Sequence, residues 1–355
     1  MKRLISTIAA GVLSLSLHGS VLAAEIEWKM ATIAPESSKI FELYAKFFSD
    51  KVRLWSNGRL EITPYGAGVL AHPFKLYEAA QEGQVDIAWS YPGFMVNADP
   101  TNAIFAGFPG GMAPETFMHW VYQGGGGEMW ENYRRDKMGL MSLYMGQGTT
   151  EIFAHSHKAV RTAEDLKGYK QRSTGAWADI LEKEFGGSPT VTPFGEIFDL
   201  LQKKGMDGVE YGGPGANLPL GYHKVAKYII FPGAHQPSSS TEIFLSAEKW
   251  DALPDDLKQV VRDAAKATTY HSWLNFGHDD QGAMAAYREN GNELIRMEAE
   301  LVAAITAAGQ KWIGEKIGEA SANGNADAAK IMESYSAYQA TWSQNAFTRA
   351  IDRDE

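Results

Sequence analysis

The chain has 355 residues, a formal net charge of −10 and no cysteine. Without cysteine there can be no disulfide, no thiolate metal site, no haem thioether link and no lipid attached to a cysteine. Lysine and arginine are scattered over an acidic chain, which argues against nucleic acid and against an anionic membrane surface as partners.

The first 23 residues have the pattern of a cleaved secretory signal. Lys2 and Arg3 precede an apolar stretch at 4–17, and small residues lie around the expected cleavage position near residues 23 and 24. The apolar stretch is shorter than the roughly 20 residues that a membrane-spanning helix needs. The sequence therefore predicts a soluble periplasmic protein without a lipid anchor.

After this signal, predicted strands alternate with predicted helices. Residues 26–31 alternate as in a strand, and apolar residues three and four apart predict a helix from residue 37 or 38 to residue 57. Strands are predicted at 59–64 and 85–89, with a helix at 73–82 between them. This order indicates an α/β domain.

The same order returns in the second half, as expected for a chain that is long enough for two lobes. The run Gly124–Gly127 lacks the lysine-serine ending of a phosphate loop and is expected to be a turn between two helices. The elements predicted after it are strands at 139–145, 169–172, 189–192 and 208–211 and helices at 162–168, 177–185 and 196–204. From Pro254 onward the pattern is almost entirely helical, which suits helices that brace two lobes or form a dimer contact.

Motifs of common enzymes are absent, since the sequence has no Gly-x-Ser-x-Gly and no His-Glu-x-x-His. His155 and His157 could bind a metal from one strand face, but no third ligand lies near them, and exposed polar positions are expected instead. The other histidines, among them His235, form no usable spacing. The sequence therefore predicts a protein that is not an enzyme and has no catalytic cofactor.

Three charged residues lie at or within apolar strands. Arg172 is followed by small residues, and its planar fork matches a carboxylate, with an ion pair as the alternative. Glu210 and Glu242 could act as general acid and base, bind a hard cation, or pair with basic side chains. Spacing alone favours the ion pair for the two glutamates and leaves Arg172 undecided.

Several motifs resemble the solute-binding proteins of tripartite ATP-independent periplasmic (TRAP) transporters. Residues 163–172 are similar to the family signature E-D-L-K-G-x-K-x-R, and residues 195–210 resemble its helix, D-G turn and strand. Residues 220–228, 231–237 and 250–254 look most like the branch that binds 2-oxo acids and lactate. The resemblance covers essentially the whole chain after the signal, in order.

The resemblance implies an α/β fold of two lobes with a ligand cleft between them, hinge-crossing segments and long C-terminal helices. Lobe 1 is expected at 24–149 with a return over about 236–270, and lobe 2 at 150–235 with a return over about 271–325. The tail at 326–355 resembles a segment that some members exchange to form a homodimer. Packing of this tail across its own hinge is the alternative.

The resemblance also implies a receptor that serves the membrane subunits of a TRAP transporter and binds a small monocarboxylate such as pyruvate or lactate. In this role Arg172 grips the carboxylate, and a sodium or calcium ion bridges protein and ligand. The implied ligands of the ion are Glu210, the backbone of Tyr211, and Glu242. The alternatives are a metal-free receptor for another carboxylate, a sensory partner of a membrane kinase, and a lyase or hydrolase that uses Glu210 and Glu242.

Two positions depart from that branch. Tyr211 replaces the usual tryptophan, which keeps the backbone carbonyl but changes the wall of the pocket. Glu151, with Gln147 as its neighbour, is the best match where a glutamine or asparagine is expected. A third carboxylate favours calcium over sodium, and the alternative is a ligand that offers a hydrogen-bond donor at this position. Tyr91 and Phe94 follow the third predicted strand, where the family places aromatic residues of the cleft.

Overall fold

The computed structural model describes residues 24–346, and within them the chain folds around two β-sheets. The strands are β1 (Ile26–Thr32), β2 (Leu60–Tyr65), β3 (Ile87–Ser90), β4 (Leu140–Gln147), β5 (Ala154–Ser156), β6 (Lys170–Arg172), β7 (Ser188–Thr190), β8 (Gly208–Val209), β9 (Tyr228–Phe231), β10 (Ser240–Ser246) and β11 (Glu293–Arg296). The predicted signal at 1–23 and the end of the predicted tail at 347–355 lie outside the described residues.

Helices surround both sheets. They are α1 (Phe47–Trp55), α2 (Leu76–Gln81), α3 (Asn102–Ala106), α4 (Pro114–Gln123), α5 (Gly126–Met138), α6 (Gly175–Phe185), α7 (Ile197–Gln202), α8 (Pro214–Asn217), α9 (Ala247–Asp251), α10 (Asp255–Glu289), α11 (Ala299–Ala322) and α12 (Ala326–Gln344). A π-helical segment, Phe41–Lys46, leads into α1. The predicted α/β fold class is confirmed.

Each sheet is the centre of one lobe. The first has the order β2-β1-β3-β10-β4, and the second has the order β11-β9-β5-β8-β6-β7. Strand β10 pairs antiparallel with β3 and β4, although it follows β9 of the second sheet along the chain. The chain therefore crosses between the lobes after β4 and again after β9. Strand β4 ends at Gln147 and β10 begins at Ser240, and the lobe boundaries expected near residues 149 and 235 stay predictions.

Helix α10 is 35 residues long and contacts both lobes. In the first lobe the hydroxyl of Thr269 accepts a hydrogen bond from the backbone N–H of Gly146 at 3.0 Å. Further along the helix, the Asp280 carboxylate accepts one from the backbone N–H of Gly215 in α8, at 2.7 Å. One continuous helix thus joins the two halves of the molecule behind the crossing connections.

Local signals in the sequence correspond to several of these elements. Of the glycine run that was expected as a turn between two helices, Gly124 and Gly125 lie between α4 and α5, and Gly126 and Gly127 begin α5. Gly125 has a left-handed backbone with φ of +85°. Thr162 and Asp165 form a capping box at the predicted short helix. Strand β11 interrupts the C-terminal region that was expected to be almost wholly helical. Its four residues are too few to show a periodic pattern.

The described part of the C-terminal tail packs on its own chain. Helix α12 lies against α3, α4, α5 and α11. Tyr335 is 1% exposed, its ring contacts Phe108 and Trp120, and its hydroxyl accepts a hydrogen bond from the backbone N–H of Met112. The expected exchange of this tail is therefore not needed to bury its apolar face, and a homodimer through the C-terminal helices stays a prediction.

This packing predicts that Tyr335→Ala lowers the free energy of unfolding by about 3–5 kcal/mol, because a large buried side chain is removed. Ser336 is exposed on the same helix, so Ser336→Ala should change stability by less than about 0.5 kcal/mol. Urea unfolding at several protein concentrations measures both. A loss that grows as the protein is diluted would instead indicate that a second copy buries α12.

Candidate functional site

A cavity of about 50 Å³ lies between the two lobes. A cavity needs roughly 10–15 Å³ of such volume to hold one water molecule, so this cavity has room for about four water-sized groups. Apolar and aromatic side chains form most of the wall. The lining residues are Ile33, Ile40, Tyr44, Trp89, Tyr91, Gly148, Thr149, Glu151, Thr174, Phe194, Glu210, Tyr211, Gly212, Gly213, Ala216, Ser239, Thr241 and Phe276.

A cluster of ionisable groups adjoins this cavity, and two of its members, Glu151 and Glu210, line the wall. Glu151, Glu210 and His235 are buried and bring one ligand atom each within 4.8 Å of one another. Glu151 Oε2 lies 3.6 Å from His235 Nε2. Glu151 and His235 come from the two connections that cross between the lobes, and Glu210 directly follows β8. The three residues meet because β8 pairs with β5, the strand that the first crossing connection enters.

Arg172 lies beside this cluster and is fully buried. Strands β6 and β8 are parallel neighbours, so Arg172 and Glu210 are adjacent at the same end of the sheet. Arg172 Nη1 donates to the Glu210 side chain and to its backbone carbonyl, both at 3.0 Å, and Nη2 donates to the carbonyl of Thr192 at 2.8 Å. Within the described residues, Nε has no hydrogen-bond partner. Arg172 therefore forms the ion pair that was the alternative, and it still has a donor free.

Burial changes the protonation of the cluster. It raises the pKa of Glu151 to about 8, and it raises the pKa of Glu210 to about 7 although the Arg172 charge opposes this shift. Burial lowers the pKa of His235 to about 4, so this imidazole is neutral at pH 7. Two carboxylates held together away from water need compensating positive charge to ionise.

Several polar atoms of the cluster have no hydrogen-bond partner, which suits the binding of a cation. Glu151 Oε2 and both ring nitrogens of His235 have no hydrogen-bond partner in the part of the chain that the structure describes. Carboxylate oxygens are the ligands that sodium and calcium prefer, and buried polar atoms without partners are rare in folded proteins. Glu151 and Glu210 therefore fit a hard cation, and His235 lies next to that position.

The other residues expected in the cleft divide into two groups. Tyr91, Tyr211 and Glu151 line the cavity. Gln147 does not, since its side-chain amide donates to Gly148, Ser238 and Ser239. Phe94 also lies outside the wall and packs against Phe194, with 5.6 Å between the ring centroids.

Glu242 is not part of this site, so its prediction as a cation ligand is wrong. Strand side chains point alternately to opposite faces of a sheet, and on β10 it is Thr241 that lines the cavity. Glu242 therefore points into the first lobe, where it is fully buried. Its two oxygens accept hydrogen bonds from Arg134, Tyr77, Trp130 and Ser142. The structure also fails to bring Glu210 and Glu242 together as an acid and base pair.

The structure differs from the sequence-based expectations for the histidines. His155 is fully buried and contacts Asn217 at 3.2 Å, and half-buried His157 contacts the carbonyl of Leu201 at 2.8 Å. The expectation of exposed positions is wrong for His155, and the two do not form a metal site. His235 was missed, although it lies inside the motif at 231–237 that carries the family resemblance. Its role depends on a contact with Glu151, far away in the sequence.

Comparison with known proteins identifies the class. The sequence pattern of the family described as DctP, bacterial extracellular solute-binding protein family 7, matches residues 30–317. A monocarboxylate 2-oxoacid-binding periplasmic protein from Nostoc is 24% identical over 318 residues, which are 88% of this chain and 84% of that protein. The chain therefore belongs to family 7, the periplasmic solute receptors of TRAP transporters.

Two solved structures show how similar the fold is. A TRAP solute-binding protein from Pseudoalteromonas atlantica with bound sodium and pyruvate has a TM-score of 0.82 and 25% identity, and covers 92% of this chain and 99% of its own. One from Bordetella bronchiseptica, a mixed-occupancy dimer with copurified calcium and picolinate, has a TM-score of 0.86 and 21% identity, covering 92% and 95%.

The described helices bear on a possible membrane association. None of them combines the length and the apolar character that crossing a membrane requires.

The assignment of Glu242 to a structural ion pair predicts that Arg134→Met costs about 3–5 kcal/mol of unfolding free energy, because it leaves a buried carboxylate unpaired. The neighbouring Arg135 pairs with Asp251 on the surface, so Arg135→Met should cost less than about 1 kcal/mol. Urea unfolding measures both variants. If Arg134→Met lost ligand binding while its stability was unchanged, Glu242 would have to be assigned to the functional site.

Proposed function

We propose that this TRAP receptor binds a small 2-oxo or 2-hydroxy monocarboxylate, such as pyruvate or lactate, together with a cation. The observation that carries the proposal is the buried pair Glu151 and Glu210 beside Arg172, at the polar end of a cavity with room for about four water-sized groups. A cavity of this size suits an acid of about three carbons. The largely apolar remainder of the wall suits a short hydrocarbon end.

The charges of the site favour a divalent cation. Arg172 contributes one positive charge, Glu151 and Glu210 contribute one negative charge each when ionised, and His235 is neutral. A monocarboxylate adds a further negative charge, which makes the sum −2. A calcium ion balances this sum, whereas a sodium ion leaves one negative charge buried unless a carboxyl group keeps its proton.

Ligands of related proteins support the same chemistry. The Nostoc relative is described as binding monocarboxylate 2-oxoacids, and the two solved structures hold sodium with pyruvate and calcium with picolinate. Pyruvate and picolinate both carry a carboxylate next to a second donor atom, a keto oxygen or a ring nitrogen. Such a pair of donors can chelate one cation, which is the arrangement we propose for this chain.

The proposed roles of the residues follow from their positions. Glu151, Glu210 and the backbone carbonyl of Tyr211 are the protein ligands of the cation, and they replace the set that included Glu242. Arg172 holds the ligand carboxylate through its free Nε–H and keeps Glu210 in place through Nη1. Tyr91 and Tyr211 form the side walls.

Charge balance also explains how binding would close the receptor. With the lobes apart, water solvates the carboxylates and the guanidinium. With the lobes together, these groups are buried, and the acid and the cation supply the missing partners. The closed form is then the species that the membrane subunits of the transporter receive.

The direct test is to denature protein purified from its native compartment, identify the released acid by mass spectrometry and measure metal by elemental analysis. The proposal expects a small 2-oxo or 2-hydroxy acid with one calcium ion per chain. Added acid should be recovered unchanged after incubation, because the protein is a receptor. Recovery of a converted product would instead identify an enzyme, and a metal-free complex would favour the receptor without a cation.

The charge count predicts that chelation weakens pyruvate binding more than about a hundredfold, and that calcium restores it better than sodium. Glu151→Gln removes one negative charge, so this variant should prefer sodium. Isothermal titration with each ion measures the preference, and Glu164→Gln, at an exposed site, is the control. Equal pyruvate affinity in chelated and calcium-loaded protein would exclude a bridging cation.

The free donor of Arg172 predicts that Arg172→Lys weakens binding of the acid about tenfold to a hundredfold, because lysine keeps the charge but loses the planar fork. Arg161 is exposed, and Arg161→Lys should bind normally. Titration of calcium-loaded variants measures the change. An unaltered affinity in folded Arg172→Lys would mean that Arg172 only supports Glu210.

A further inference from the structure

Two aromatic rings, one from each lobe, meet beside the cavity. Phe94 lies in the 3₁₀ segment Pro92–Met95 that follows β3, and Phe194 begins the 3₁₀ segment Phe194–Glu196 that follows β7. Their ring centroids are 5.6 Å apart. Both side chains are half-buried, which places the contact at the edge of the cleft rather than inside a lobe.

The two rings have different neighbours. Phe194 lines the cavity, packs against Tyr211 with centroids 4.7 Å apart, and lies over the Arg172 guanidinium at 5.4 Å. Phe94 does not line the cavity and is supported from behind by Phe74, at 4.8 Å, and by Tyr91, at 5.5 Å. Phe194 therefore touches both the cavity and the first lobe, whereas Phe94 touches only the second lobe and its neighbours in the first.

The lobes also approach each other closely next to these rings. A Cβ atom at Gly175, the first residue of α6, would lie 3.4 Å from the Tyr91 hydroxyl of the first lobe. The Phe194 ring itself has the Phe94 ring on one side and the Arg172 guanidinium on another. A ligand that extends toward this ring has to displace it.

We propose that Phe94 and Phe194 form an aromatic closure of the cleft, and that the Phe194 ring limits the length of the acid that the closed protein holds. The inference rests on the proposed function for the class of ligand, but not for the contact between the rings. The contact exists only when the lobes are together, so it stabilises the closed form. A longer acid displaces Phe194 and loses this contact, which couples ligand length to closure.

The two roles can be separated with two variants. In calcium-loaded protein, affinity should fall steeply from pyruvate through 2-oxobutyrate to 2-oxovalerate. Phe194→Ala should flatten this series, because the limiting ring is gone. Phe94→Ala should weaken all three acids by a similar factor, roughly two- to tenfold, because it removes the ring contact but leaves the cavity wall. Phe194→Leu keeps an apolar side chain and should lie between wild type and Phe194→Ala.

Closure can be measured without any ligand. Because the chain has no cysteine, Val69→Cys in the first lobe and Lys203→Cys in the second give two defined sites for spin labels, and both positions are exposed. The distance distribution should contain a short, closed component, and either Phe94→Ala or Phe194→Ala should shift it toward longer distances. Leu54→Ala, at an exposed site of the first lobe, should leave it unchanged.

These outcomes distinguish the two proposals. If the wild-type protein binds none of the acids but both alanine variants open the lobes, the ligand class is wrong and the aromatic closure stands. If the acids bind but neither the length series nor the distances respond to folded Phe194 variants, the closure is wrong and the ligand class stands. A wild-type distribution without a closed component, with or without acid, would also overturn the closure.

Discussion

The cleft depends on one electrostatic constraint, which is that two carboxylates and one guanidinium are buried together where the chain crosses between its lobes. When both are ionised, Glu151 and Glu210 exceed Arg172 by one negative charge, and burial makes that surplus costly, which is why the pKa of each carboxyl group is raised. The cavity beside them, the neutral His235 and the closeness of the lobes all bear on how this surplus is balanced. In the proposed function, the total charge of the ligand and cation therefore matters as much as their shape.

Among the residues that the structure describes, two buried arginine–glutamate pairs differ in how completely their hydrogen bonds are satisfied. Glu242 accepts hydrogen bonds from Arg134 and from three further donors, so both of its carboxylate oxygens have partners. At Arg172 and Glu210, by contrast, two atoms have no hydrogen-bond partner among the described residues, namely Arg172 Nε and Glu151 Oε2. The first pair holds strands and helices of one lobe together. The second pair is incomplete, and this difference is the reason why we propose it, and not the first, as part of the binding site.

Much of the fold could be predicted because periodic and turn signals are local. The helix before Asn57, the turn at the glycine run and the capping box at Thr162 are all encoded by neighbouring residues. The site was harder, because its geometry depends on contacts between distant segments. The face to which Glu242 points is set by the pairing of β10 between β3 and β4, and His235 reaches Glu151 only after two lobe crossings. Neither relation leaves a pattern in the sequence.

Helix α10 has a mechanical consequence for the whole molecule. Phe276 on this helix lines the cavity, and one turn later Asp280 binds α8 of the second lobe. Gly277 lies between them and Gly282 follows in the same helix, and because glycine is a poor helix former, both positions weaken the helix. Separation of the lobes must therefore bend α10 or pull it from one of its partners.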